Sequence, residues 1–312
     1  MTQRNRRRQR HRGGAGRKLL LAAGGVLVVG AIVAVGVTSW VLGVAAKAPS
    51  LATCKPIEHG GNSTLYAGDG SKLGIIASEQ VHNPISLKRI PKDLQLATVA
   101  IEDQRFYQDG AIDPQGIARA ALKDLEAGEP VEGGSTITQQ LVRNLCIAHP
   151  TRNLERKIIE AKLAIEYAQR HSKGEILDQY LNAASYGTID GSTAVGVEAA
   201  SQIYFSRPVW KLTLAQAALL TGLPQAPSDY NPILNPRGAL ARRNEVIAKM
   251  ANLGFVSRNR ALAAEQRGLG LRLSKTYFKR RQPYFFDYVE NKLIDRYGVN
   301  TVRKGGLRVY TT

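Results

Sequence analysis

Residues 102 to 113 read Glu102-Asp103-Gln104-Arg105-Phe106-Tyr107-Gln108-Asp109-Gly110-Ala111-Ile112-Asp113. The stretch closes a helical pattern, because Leu94, Ala97 and Ile101 recur at helical spacing after Pro91. Glu102 and Asp103 therefore fall at a helix end. Their mutual repulsion is expected to raise one carboxyl pKa. At its other end the stretch runs into Asp113-Pro114, a helix start with Asp as cap and Pro in the first turn. That helix is predicted to stop near Gly128.

The helical reading spreads outward from there. A third helix is predicted from Ser135, with Ile137, Leu141 and Leu145 on one stripe. A fourth carries Leu154, Ile158, Ala161, Ile165 and Ala168. Ser172 and Glu175 form a capping-box pattern that opens a fifth, running to Asn182. A sixth ends at Tyr204, and a seventh opens with the box Thr213 and Gln216 and ends before Pro224. Two or three more fill residues 236 to 297. Upstream, residues 63 to 77 (STLYAGDGSKLGIIA) hold two short alternating runs around Asp69-Gly70, a hairpin signal. The expected fold class is mainly α, with one small N-terminal β-hairpin.

At its N-terminus the chain changes character. Residues 1 to 18 contain eight Arg and Lys and no acid, which is +8 of the formal net charge of +18. The basic remainder suits anionic partners such as lipid head groups or pyrophosphates. No recognition-helix or finger signature supports nucleic-acid binding. Leu19 to Ala46 is then free of charge for 28 positions, long enough to cross a bilayer as one helix. Lys47 is the only nearby charge after it, so the positive-inside rule puts the N-terminus in the cytoplasm and the rest outside. A cleaved signal peptide at Ala46-Lys47-Ala48 and a lipobox at Leu51 to Cys54 are poorer readings, one for its over-long apolar run, the other for Thr53. Cys54 and Cys146 are the only cysteines. An exported location permits a disulfide between them, and two unpaired thiols fit the sequence as well.

Three further segments complete a set with residues 102 to 113. They are Gly133-Gly134-Ser135-Thr136-Ile137-Thr138-Gln139-Gln140, Arg156-Lys157-Ile158-Ile159-Glu160, and Lys173 to Asn182 (KGEILDQYLN). In this order they resemble the motifs of the family 51 peptidoglycan glycosyltransferases, the module found alone or in class A penicillin-binding proteins. Leu214 to Pro227 is similar to that family as well. The resemblance covers roughly residues 63 to 250. It implies a lysozyme-like helical fold, a substrate of lipid-linked disaccharide (lipid II) with its growing glycan chain, and a membrane location. It leaves open cell-wall synthesis or division proteins as further partners. The implied organisation is a basic tail (1–18), a transmembrane anchor (19–46), a linker (47–62), a glycosyltransferase domain (63–270) and a C-terminal extension (271–312). The extension resembles the segment leading to a transpeptidase domain, whose Ser-x-x-Lys nucleophile motif is absent from these 312 residues. A truncated bifunctional protein, a fragment and a monofunctional descendant all fit.

The chemistry implied joins a sugar hydroxyl to an anomeric carbon that bears a lipid pyrophosphate. The hydroxyl needs a general base, and the departing pyrophosphate needs cations or a metal. By resemblance Glu102 is the base and Glu160 the second catalytic carboxylate, near the donor phosphates. An intrahelical ion pair of Glu160 with Arg156 is the plainer alternative. Arg143, Arg152, Arg156 and Lys157 are candidates for gripping the phosphates. Asp103, Phe106, Asp109, Gly133, Ser135, Thr136, Gln139 and Gln140 complete the substrate-binding candidates. The two glycines at 133 and 134 allow a close backbone approach, and Ser135 is placed as the cap of the next helix. Of Gln139 and Gln140, adjacent and on different faces, one is free to bind sugar and the other to brace the fold. No cofactor is required by this reading. A divalent cation, Mg or Mn, is left open, and no metal ligands are identified. Asp109 departs from the family pattern, which has His there, as Ala111 departs from its Gly. Asp109 could raise the pKa of Glu102, recruit a cation or impair the site. The last choice keeps alive a catalytically inactive scaffold that binds lipid II or other wall enzymes. A glycoside hydrolase, also built on paired carboxylates, fits the basic set and the anchor less well.

Overall fold

The computed structural model describes residues 3–54, 62–76, 80–116, 134–147, 153–189, 192–274 and 280–312, and these are mainly helical. They divide into two compact units, one of residues 1–48 with 151–162, the other of residues 49–150 with 163–312.

The first unit contains α1 (Gln3–Ala46). The stretch Ala23–Thr53 is long and apolar enough to cross a membrane, with a mean hydropathy of 2.3. Its side chains are correspondingly exposed, as at Leu27, Val28 and Ile32. An apolar surface on every face is stable in lipid and costly in water.

In the second unit the hairpin forms where Asp69-Gly70 places it. Strand β1 (Thr64–Tyr66) pairs antiparallel with β2 (Lys72–Ile75). The Asp69 carboxylate accepts from Ser71 N–H at 2.8 Å, and Gly70 takes φ +80°, where a Cβ would be strained. Two further features leave no sign in the sequence. β6 (Arg308–Tyr310) adds to β1 in parallel, making a three-stranded sheet. β3 (Gln80–His82), β4 (Ser185–Ile189) and β5 (Ser192–Val195) form a second sheet in the order β3-β5-β4. These strands have three to five residues, too short for alternation to register, and their pairing is long-range.

The helices fall close to expectation. α2 (Lys92–Glu102) buries Leu94, Ala97, Thr98 and Ile101. It packs against α7 (Leu214–Gly222) and α8 (Pro236–Asn252). Small residues at the contact, Ala97, Ala100, Ala215 and Ala218, let the three helices approach closely around Val246, Ile247 and Met250. α3 (Ile137–Cys146) packs on α5 (Lys173–Ala183). Both capping boxes form, Ser172 with Glu175 and Thr213 with Gln216. α6 (Val197–Phe205), α9 (Arg258–Glu265), α10 (Pro283–Tyr297) and α11 (Val299–Lys304) complete the set. Phe286 of α10 and Val302 of α11 close a second core against Leu65, Leu73 and Ile76.

Two expectations need correcting. α3 is capped by Thr136 and begins at Ile137, not at Ser135: the Thr136 hydroxyl accepts from Gln139 N–H and Gln139 Oε1 accepts from Thr136 N–H. The Thr136 hydroxyl also donates to Ala111 O at 2.7 Å, a tertiary contact that fixes the cap. In α4 (Leu154–Ala168) the predicted apolar stripe is not the buried face, since Leu154 and Ile165 are exposed. Burial falls on Glu160, Leu163, Ala164 and Tyr167. A buried glutamate in the stripe disguises it as the polar side. The helix expected after Pro114 shows its first turn at residues 114 to 116, with Asp113 accepting from Gly116 N–H at 2.6 Å; its remainder lies outside the described residues.

Candidate active site

Glu102 is the last residue of α2. Its Oε2 accepts from Gln140 Nε2 at 2.7 Å, and its buried Oε1 has no hydrogen-bond partner among the described residues. An ionised carboxylate atom kept from water without a donor is costly, and structures retain such atoms where they serve a purpose. Burial holds the Glu102 carboxyl above the usual carboxylate range. The Gln140 hydrogen bond and the charges of Arg242, Arg143 and Lys249 draw it part of the way back. The expected repulsion from Asp103 is not the cause of this shift; desolvation is.

Gln140 is itself fixed, because the Tyr180 hydroxyl donates to its Oε1 at 3.2 Å. This sets the amide with its NH2 toward Glu102. Tyr180 and Tyr186 are both buried, and burial together with the Glu102 charge raises their pKa values. They stay neutral donors at any ordinary pH. Gln139 is spent on the helix cap, so the adjacent pair divides its labour, one residue bracing the fold and the other turned to the carboxylate.

Asp103 turns away from Glu102. Its Oδ2 accepts from Ile137 N–H at 3.2 Å, which ties the end of α2 to the start of α3. Its carboxyl is pushed up to about 6, first by burial, with Asp113 and Asp109 adding to the rise. Phe106 is fully buried, and the Lys173 ammonium lies 4.6 Å from its ring centre. The same ammonium donates to the backbone oxygens of Asp109 and Gly110. Lys173 thereby clamps the turn that follows Glu102, a role its place in the fourth motif did not reveal. Asp109 pairs with Arg105 at 3.0 Å, and Arg105 also holds Asp113 and Gln115. The Asp109 charge is thus engaged locally, and it adds to the rise at Asp103.

Arg242 was missed by sequence reading. It is buried on α8, pairs with Glu245 at 2.7 Å and places positive charge on the Glu102 side. No motif spacing marks it, and only the packing of α8 on α2 brings it there. Ser135 and Arg143 are both half-buried, at the front and on the last turn of α3. Asn182 accepts from Ile85 N–H and donates to the backbone oxygens of Ile85 and Asp178, as a structural fourth motif requires.

Glu160, Arg156 and Lys157 fall in the first unit. Glu160 is fully buried, with Arg156 Nε and Lys157 Nζ each 3.4 Å from its oxygens. The intrahelical pair expected from spacing exists, and a second cation joins it. Gly133 and Arg152 lie outside the described residues. Among the described residues no group of three His, Cys, Asp or Glu is arranged for a metal ion. Cys54 and Cys146 form a disulfide, which fastens the segment after α1 to the last residue of α3.

The transglycosylase family matches residues 69–251, and the chain belongs to that family. Among its relatives, penicillin-binding protein 1A of Aquifex aeolicus (strain VF5) is 40% identical over 250 residues, covering 80% of this chain and 33% of that protein. Penicillin-binding protein 1A of Escherichia coli (strain K12) is 37% identical over 264 residues, covering 85% and 30%. Penicillin-binding protein 2D of Bacillus subtilis (strain 168) is 40% identical over 254 residues, covering 80% and 36%. The chain spans about a third of the length of these relatives.

Proposed function

We propose that this protein is a peptidoglycan glycosyltransferase that polymerises lipid II into β-1,4-linked glycan. The observation that carries the reading is the Glu102 carboxylate. One oxygen is fixed by Gln140 and the other is unpartnered among the described residues, in surroundings that raise its basicity. Membership of the transglycosylase family supports the same reading. In this mechanism the acceptor 4-hydroxyl donates to Glu102 Oε1 and loses its proton there as the oxygen attacks the anomeric carbon. The carbon–oxygen bond to the polyprenyl pyrophosphate breaks in the same step. A single displacement inverts the centre and needs no covalent enzyme intermediate. Positive charge from Arg143 and Arg242 suits the developing anion. Glu160 with Arg156 and Lys157 is proposed to act on the donor phosphates. The apolar Ala23–Thr53 stretch is proposed as a single-pass anchor with its basic N-terminal side in the cytoplasm. The disulfide suits an exported domain.

The test is polymerisation by the full chain, given lipid-linked disaccharide-pentapeptide in detergent and read as glycan length on a gel. Long products are expected, and none under any condition would overturn the proposal. The same assay with a chelator reads whether Mg or Mn takes part. Its pH dependence is also fixed in sign. A base must be ionised, so activity is lost as pH falls through the raised pKa of Glu102. Gln140→Ala removes a donor that favours the ionised form, so the acidic limb should move to higher pH. A limb that stays in place would show that Gln140 does not tune the base.

Asp109 poses no obstacle on this reading. It is one of three side chains on Arg105, so Asp109→Asn should cost roughly 1 kcal/mol of stability and leave polymerisation within a few-fold. A melt and an initial rate on the same preparation check both. A collapse of activity with a normal melt would make Asp109 part of the chemistry.

A further inference from the structure

At the opposite end of α2 from Glu102 lies a shallow, open depression of about 580 Å³. Its walls are the turn Leu87–Arg89, the first residues of α2 and the indole of Trp210. Three cations, Lys88, Arg89 and Lys92, border it, all exposed. None of them forms an ion pair among the described residues. Asp93, the nearest acid in sequence, is taken by Arg260 at 2.8 Å. Cations without an acidic partner around a concave surface attract anions.

The walls are built rather than loose. Gln95 donates to the backbone oxygens of Leu87 and Ile90, at 3.2 and 2.9 Å, and Asp178 accepts from Leu87 N–H. Trp210 is held outward by its neighbour, since Val209 is fully buried and its N–H donates to Glu198 at 2.8 Å. The indole is 43% exposed, with the Arg89 guanidinium 4.0 Å above the ring. That stacking orients the guanidinium, which retains its edge donors for a planar anion. The surface also continues toward the catalytic end. Lys92 Nζ stands 6.0 Å from the ring of Tyr107, which is 50% exposed and lies in the turn after Glu102. Trp210 with Arg89 and Tyr107 with Lys92 thus make two aromatic–cation pairs along this surface.

We propose that this surface is a second binding site, for a carboxylate-bearing glycan strand. Aromatic faces pack against the apolar faces of sugar rings, and Arg89 with Lys88 and Lys92 takes carboxylates on the peptides the strand carries. This deepens and rests on the proposed polymerase reading, because a growing strand is the anionic glycan such an enzyme would hold. α2 has 11 residues; at a rise of about 1.5 Å each the site stands roughly 16 Å from Glu102 along the helix. A strand bound there is held apart from the reacting centre.

The test uses the full chain in neutral detergent with Trp40→Phe, which leaves Trp210 as the sole tryptophan. The probe is a lipid-free glycan oligomer bearing peptides with free carboxylates, beside the same oligomer with every carboxyl amidated. A saturable change in indole emission is expected with the first. The affinity should fall about tenfold or more for the amidated oligomer, and likewise in a Lys88→Ser, Arg89→Ser, Lys92→Ser variant, the loss of at least one charge-assisted contact. These side chains are exposed, and an unchanged melt establishes that the variant is folded. No response, or an equal response from parent and variant, overturns the proposal. Vesicles of phosphatidylglycerol that shift the emission when the glycan does not would make the surface a lipid contact, and the glycan assignment wrong. The readout is binding, not polymerisation, so the two proposals fail separately. An inactive chain that binds sinks only the polymerase, and an active chain that does not bind sinks only this site.

Discussion

Glu102→Gln is expected to reduce glycan polymerisation by about 10²- to 10⁴-fold, the range general-base removal produces, and at neutral pH to melt no lower than the parent. The amide has the shape of the carboxyl and can still accept from Gln140 Nε2, so the site keeps its geometry. It cannot take a proton from the acceptor hydroxyl. The stability half follows from the direction of the pKa shift. Burial raises the folded-state pKa of Glu102 above its unfolded value. The folded state therefore holds this proton more tightly. The group's favourable contribution is fully present below the unfolded pKa and is lost as pH rises through the folded one. Gln removes that loss, so the difference in melting temperature should grow from acidic to alkaline pH. Melts at pH 5 and pH 8, beside product gels, check both halves. A variant that polymerises within tenfold of the parent would remove Glu102 from the mechanism.

The second large effect belongs to the disulfide. Cys54 and Cys146 are 92 residues apart in sequence. On the chain-entropy account a loop of that size destabilises the unfolded chain by about 4.6 kcal/mol. Replacing both cysteines by serine should lower the melting temperature by roughly 10 °C for a domain of this size. Activity should fall as well, because Cys146 ends the helix that begins at the Thr136 cap and carries Gln140 and Arg143. Without the link, the last turn of α3 is free to fray. The reduced parent protein should melt with the Cys54→Ser, Cys146→Ser variant. A melt that ignores reductant would show that packing of α3 on α5 suffices by itself.

The sequence was legible where local rules act. Capping boxes at Ser172 and Thr213, the Asp69-Gly70 turn and the apolar spacing of α2 each rest on residues within one turn or one hairpin. All of them formed. It misled where a polar residue stood inside a buried stripe, as at Glu160 in α4, and at the start of α3, where Ser135 was read as the cap and Thr136 is. At the cap a distant contact decides: Ala111 O accepts from the Thr136 hydroxyl across 25 residues. Arg242 and Lys173 were illegible as site residues for the same reason. Each acts over a long sequence separation, and nothing nearby in the chain encodes that.

The order and spacing of the four motifs, the apolar run after a basic tail and the identity of Glu102 as the acid at a helix end were determined by sequence alone. They depend on residue type and short spacing. Only the tertiary structure decided that burial and not Asp103 perturbs Glu102, that Gln140 and not Gln139 meets it, and that the two cysteines pair. Each of these depends on which groups share a low-dielectric interior, and that is settled by the packing of helices far apart in the chain.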